Sequence, residues 1–192
     1  MEKYYLEFLK DAYNSGLCKD YRDEIRNCHD NKLNLAQLAM RQQSIPWMAT
    51  KLNQGVVTKE EVKTFFKDYI NGVVLNNCDN VEGYTYMWYI DNGKGFMIKS
   101  DVTHISYCDD IDVLVPKICC PTIYVSNASK VNLTCEGYSI VRVYLFDTSQ
   151  ITVNDCDENC SVIVYRYSDD AKADCGKYCL GDFKTFRKEL RL

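Results

Sequence analysis

The stretch "VRVYLFDTSQITVNDCDENCSVIVYRYSDDAKADC", Val141–Cys175, says nearly the same thing twice. Val143-Tyr144-Leu145 returns as Val164-Tyr165-Arg166, and an acidic or hydroxyl-bearing turn follows each copy. Upstream, "TIYVSNASKVNLTC" has the same form, and the three segments align at a spacing of 20 to 21 residues. Tyr124, Tyr144 and Tyr165 hold one place in the repeat, and Val131 matches Ile151 as Leu133 matches Val153. "THISYCDDIDVLV" reads as a degenerate earlier copy. Two short alternating strands with polar turns, repeated near 20 residues, are the signature of a β-solenoid. One rung cannot bury its apolar side alone, so rungs stack at about 4.7–4.9 Å. Open ends template unwanted pairing and call for covers. The competing architecture is a twisted meander sheet packed on helices.

Working outward, the N-terminal part is helical in pattern. In "EKYYLEFLKDAYNSG", Tyr5, Phe8, Leu9 and Ala12 share a face and Gly16 supplies a stop. Leu17, Tyr21, Ile25 and Cys28 repeat the pattern, a third helix covers about Leu33 to Gln43, and Pro46 fits near the start of the next. In "TKEEVKTFFKDYINGV", Thr58 and Glu61 form a capping box, Val62, Phe65, Phe66, Tyr69 and Ile70 make the buried face, and Asn71-Gly72 ends the segment. "GYTYMWYIDNGKGFMIKS" reads as a hairpin about Asn92-Gly93. "LGDFKTFRKELRL" places Leu180, Phe183, Phe186 and Leu190 on one helical face. The fold class is therefore α+β. It comprises a helical bundle over 1–80, a hairpin and solenoid rungs over 81–179, and a C-terminal capping helix over 180–192. The helices are candidates to cap the two solenoid ends.

The bulk numbers narrow the function. A chain of 192 residues with 46% hydrophobic and 26% charged residues is globular. A net charge of −4 argues against non-specific nucleic-acid binding, which needs a basic surface. No apolar run approaches a membrane span, and the acids in "MEKYYLEFLKDAYNSG" do not fit a signal peptide, so cytoplasmic expression is the expectation. In that compartment the 11 cysteines read as thiols or metal ligands.

Candidate sites follow from spacing. Cys156-x3-Cys160 and Cys175-x3-Cys179 lie one coil apart, so four sulfurs could gather at a corner and bind zinc. The alternative is a ladder of small buried side chains with Cys135 as an earlier member. A cysteine nucleophile needs a base, and only His29 and His104 exist, each read as a surface or half-buried residue. Asp109-Asp110-Asp112, Asp155-Asp157-Glu158 and Asp169-Asp170-Asp174 fall at turns, where Asp favours local backbone bonds. Nucleotide-binding, hydrolase and metalloprotease motifs are missing, so the chain reads as a non-enzyme. Two surfaces remain. Tyr124, Tyr144 and Tyr165, with Arg166, form a protein-binding stripe if they face outward and core if they face inward. The tail offers Lys177, Lys184, Arg187, Lys188 and Arg191 against Asp182 and Glu189, either an RNA contact within a ribonucleoprotein or the solvated side of a capping helix.

The segments "YLEFLKDAYNSGLCKDYRDEIRNC", "VTKEEVKTFFKDYING" and "ASKVNLTCEGYSIVRVYLFDTSQITV" together resemble a loose group of small proteins from phages and mobile elements of Bacteroidota. The resemblance spans most of the chain, carries no catalytic residue, and implies phage or prophage origin with expression in the host bacterial cytoplasm. For such a protein the expected function is inhibition of a host defence complex, in the manner of an anti-CRISPR protein bound to an RNA-guided nuclease. The alternative is a virion fibre or decoration component.

Overall fold

A computed structural model describes residues 18–29, 31–79 and 82–184, with isolated positions 10 and 14. The helix expected in "EKYYLEFLKDAYNSG" and the tail residues Arg187, Lys188 and Arg191 lie outside the described residues. Among the residues described in full, four helices come first: α1 (Lys19–Asn27), α2 (Lys32–Ala39), α3 (Ile45–Asn53) and α4 (Lys59–Phe65). Pro46 sits in the first turn of α3, where its missing N–H costs nothing. The Thr58–Glu61 capping box forms in full, with Glu61 N–H donating to the Thr58 hydroxyl and Thr58 N–H donating to the Glu61 carboxylate.

Beyond the helices the chain winds as a β-solenoid. Sheet A contains β1 (Leu75–Asn76), β2 (Thr85–Ile90), β4 (Val102–Ser106), β6 (Thr122–Ser126), β8 (Ile140–Leu145), β10 (Ser161–Arg166) and β12 (Cys179–Lys184), in that order. Sheet B contains β3 (Phe96–Met97), β5 (Ile111–Val115), β7 (Lys130–Cys135), β9 (Gln150–Val153) and β11 (Lys172–Asp174). Within the coils every pairing is parallel, and the register equates Tyr124 with Tyr144 and Tyr165, and Val131 with Ile151. One residue in two points inward. Val125, Leu133, Val143, Ile151 and Val164 thereby fill a continuous core that no single coil could bury.

The hairpin about Asn92-Gly93 does not form. The chain turns a corner there instead, so β2 enters sheet A beside β4 and β3 enters sheet B beside β5. The reason is burial on both faces of β2. Met87 points into the solenoid interior, while Tyr86, Trp88 and Ile90 lie under the helices. A two-faced apolar strand belongs in a covered parallel sheet. Nor does a capping helix begin at 180. Residues 179–184 are a strand, because a further rung position on β10 holds Phe183 beside Tyr165 and Asp182 beside Arg166.

The helices lie on the outer face of sheet A. Ile25, Leu35, Met48, Leu52 and Phe66 share a core with Trp88, Ile90, Tyr124 and Phe146. Polar ties fix the layer in place: Tyr107 donates its hydroxyl to the Leu52 carbonyl at 2.9 Å, and Asn127 Nδ2 donates to the Ala49 carbonyl at 3.0 Å. No helix among the described residues is long and apolar enough to cross a membrane.

Candidate protein-binding face

Outward-pointing side chains of sheet A stack in columns because the strands are parallel and in register. One column runs Trp88, His104, Tyr124, Tyr144, Tyr165, Phe183. Its ring centroids lie 4.9 Å apart for Tyr124–Tyr144, 4.8 Å for Tyr144–Tyr165 and 5.6 Å for Tyr165–Phe183. Beside it Phe146 and Tyr167 stack at 4.7 Å. The column passes out from under the helices. Tyr124 is buried at 5% exposure, Tyr144 and Tyr165 are half-buried, and Phe183 is 51% exposed. Gly181 makes the last step possible, since a Cβ there would meet the Phe183 ring at 2.5 Å. The stripe is thus core at one end and surface at the other.

Two charged candidates among the described residues, Arg166 and Lys184, are engaged within the chain. Arg166 belongs to an inward column, donates from Nε to Asp182 Oδ1 at 2.8 Å, and pairs through a second nitrogen with Asp182 Oδ2. Its third contact is the Ala171 carbonyl at 3.2 Å. Lys184 donates to Asp169 at 2.7 Å. The acidic turns do similar work. Asp147 accepts the backbone N–H groups of Asn127 and Ala128 at 2.6 and 2.8 Å, and Asp157 accepts that of Gly137 at 2.6 Å. Asn132 bridges Asp110 and Asp112. Each carboxylate therefore stitches one coil to its neighbour.

The cysteine spacing has a different outcome from a four-sulfur corner. All eleven cysteines are free. Cys179 lies opposite Val162, not Cys160, which precedes β10, and the register of β12 shifts just beyond it. Cys160 donates its thiol to the carbonyls of Cys135 and Glu136, and Cys156 accepts the Cys135 N–H at 3.1 Å while donating to the Asn154 carbonyl. Burial pushes the Cys175 thiol up to about 12 and raises Cys135 and Cys156 as well. Cys156, Cys160 and Cys175 are buried in the solenoid core, whereas Cys179 is exposed. Among the described residues no group of three or more His, Cys, Asp or Glu side chains is arranged to hold a metal.

His104, expected at or near the surface, is fully buried between Trp88 and the next rung. Its ring stacks on Trp88 at 5.3 Å and its Nε2 lies 2.8 Å from the Ser126 hydroxyl. Ser126 donates to Asn127 Oδ1 at 2.7 Å, so its oxygen accepts from His104 and Nε2 carries the proton. The relay ends on the Ala49 carbonyl. It fastens sheet A to α3, and desolvation holds the imidazole neutral with its pKa pushed down to about 3.

Among the described residues the most exposed large apolar side chains lie elsewhere, on the corner that returns sheet B to sheet A. Ile118 is 82% exposed and Tyr138, in the next coil, 71%. The Ile118 N–H donates to the Gly137 carbonyl at 3.2 Å, which joins the two turns directly. Both residues adopt left-handed backbone, φ +58° and +57°. That region suits Gly, Asn or Asp and is costly for a β-branched residue. Ile140 continues the ridge onto sheet A, and Leu180, 65% exposed, lies on the last strand. Ile118 and Tyr138 are 20 residues apart, so the period that aligned the strands also aligned them. A turn position gave no reason to single them out. No family model, no curated protein and no solved structure matches the chain.

Proposed function

We propose that the chain is a non-enzymatic, phage-encoded inhibitor that binds a host defence complex, such as an RNA-guided CRISPR nuclease. The binding surface is the Ile118–Tyr138 ridge together with the open end of the aromatic column at Tyr165 and Phe183. The phage and defence assignment rests on the resemblance of the sequence. The surface assignment rests on Ile118. A β-branched side chain held in left-handed backbone and left in water loses twice, in strain and in exposed apolar area. Such strain concentrates at sites where it serves a function. A large exposed aromatic stands directly beside it on a rigid stack, the arrangement found at binding hot spots.

The test is capture and inhibition. Tagged protein expressed in a Bacteroidota host should retain a guide-loaded nuclease and block its cleavage of target DNA. The Tyr138→Asp chain should fold normally and lose both effects. Retention of capsid or tail proteins during infection, with no effect on any nuclease, would replace this reading with the virion one.

A further inference from the structure

The chain carries two Asn-Gly pairs, Asn71-Gly72 and Asn92-Gly93, and the fold treats them oppositely. Asparagine before glycine is the pairing most open to self-cyclisation, because glycine has no side chain to shield its backbone nitrogen. Asn71 is clasped. Its Oδ1 accepts the Ile90 N–H at 2.9 Å, and its Nδ2 donates to the Ile90 carbonyl at 3.2 Å. Its own N–H donates to the Trp88 carbonyl at 2.7 Å. Bringing that amide round to the Gly72 nitrogen breaks both side-chain bonds to β2. Asn92 points the other way. Its side chain arches over Gly93 and meets Lys94 twice, with Nδ2 donating to the carbonyl at 2.8 Å and Oδ1 accepting the N–H at 3.4 Å. Such an Asx turn holds the amide carbon beside the peptide it spans. Gly93 and Lys94 are exposed, and among the described residues the Gly93 N–H has no hydrogen-bond acceptor. A Cβ built on Gly93 would meet no atom within 4 Å, so nothing walls off the nitrogen.

We infer that Asn92-Gly93 is a site of spontaneous deamidation and that the clasp protects Asn71-Gly72. The Gly93 nitrogen, once deprotonated, bonds to the Asn92 amide carbon. The Cγ–Nδ2 bond breaks, ammonia leaves with a proton taken from water, and a succinimide ring remains. Water then opens the ring at either carbonyl, to aspartate or isoaspartate, with no change of oxidation state. Both products add a negative charge beside Asp91, whose carboxylate pairs with Lys59 and Lys63 of α4. Isoaspartate also routes the main chain through the former side chain, which lengthens the corner between β2 and β3 by a methylene. The charge of the first solenoid corner therefore follows the age of the molecule. This modification is separate from the target-binding reading and stands or falls without it.

Incubation of the full chain in mildly alkaline buffer, followed over time by peptide mass mapping, tests the inference. In the folded chain Asn92 should convert to both products about tenfold faster than Asn71, the effect of the two clasping bonds. In urea the two rates should converge, since each site is then an Asn-Gly pair in an open chain. Gly93→Val crowds the attacking nitrogen and should suppress conversion at Asn92. Gly93 has open space around its Cβ position and lies outside the left-handed region, so it accepts a side chain. Circular dichroism and thermal unfolding establish that the variant folds. An unconverted Asn92, conversion of Asn71 at the same rate or faster, a rate ratio unchanged in urea, or undiminished conversion in the folded variant would each overturn the inference.

Discussion

The imidazole of His104 donates from Nε2 to the Ser126 hydroxyl at 2.8 Å in a buried polar relay, and the neutral ring held there ties stability to pH. The folded pKa, about 3, lies below the ordinary value of 6.5. As pH falls the unfolded chain takes up the proton first. Stability is therefore complete above pH 6.5 and drains away between there and about 3. At 1.36 kcal/mol per pKa unit, the whole effect is about 3 to 5 kcal/mol. Urea midpoints measured across this window should fall more steeply for the wild type than for His104→Gln. Equal slopes would show that the ring does not govern the response.

Along the aromatic column, position decides cost. Tyr124→Ser removes a buried ring and should lose about 3 to 5 kcal/mol. Tyr165→Ser, at the half-exposed end, should lose about 1 kcal/mol. Denaturant midpoints read the difference directly, and equal losses would mean that the helical layer does not divide the column into core and surface.

Ile118→Asn should stabilise the fold, by about 1 kcal/mol, since asparagine tolerates the left-handed backbone that isoleucine resists. The same substitution should weaken capture of the target. Higher melting temperature together with weaker binding is the pair of results expected of a strained contact residue. A drop in melting temperature would show that Ile118 serves the fold instead.

Asp147→Ala strips the acceptor from two backbone N–H groups, those of Asn127 and Ala128. The loss should be about 1.5 to 3 kcal/mol, the range for hydrogen bonds to a charged group. Asp147→Asn retains one acceptor oxygen and should recover part of it. Hydrogen exchange at Asn127 and Ala128 should accelerate in the alanine chain. Unchanged protection there would discount the carboxylate.

Much of this architecture could be read in the residues. The solenoid was legible because Tyr124, Tyr144 and Tyr165, and Val131 and Ile151, repeat at the coil period and pair as that period requires. The first rung was not, because Asn92-Gly93 is a turn signal for a hairpin and for a solenoid corner alike. Only the partner of β2 distinguishes them, and that partner lies in later sequence. Leu180 and Phe183 misled through spacing, since a helical interval in a six-residue strand looks the same until Tyr165 supplies a stacking partner. His104 and Ile118 were illegible for opposite reasons. The depth of His104 comes from the helical layer over sheet A, tied to its relay at Ala49 of α3, and the exposure of Ile118 goes with a backbone angle that sequence assigns to glycine or asparagine.

Coils that touch only their neighbours make length an independent variable. The helical layer grips the early coils, and the last coil meets the rest chiefly through β8, β9 and the closing strand β12. Duplication of one 20- or 21-residue unit beside it would keep every register and every acidic stitch, and would carry the terminal edge outward by about 4.8 Å. A single residue inserted within a strand would instead turn the core side chains beyond it to water. Change in this lineage should thus come in whole steps, with the grip of the helices constant and the reach of the far end adjustable.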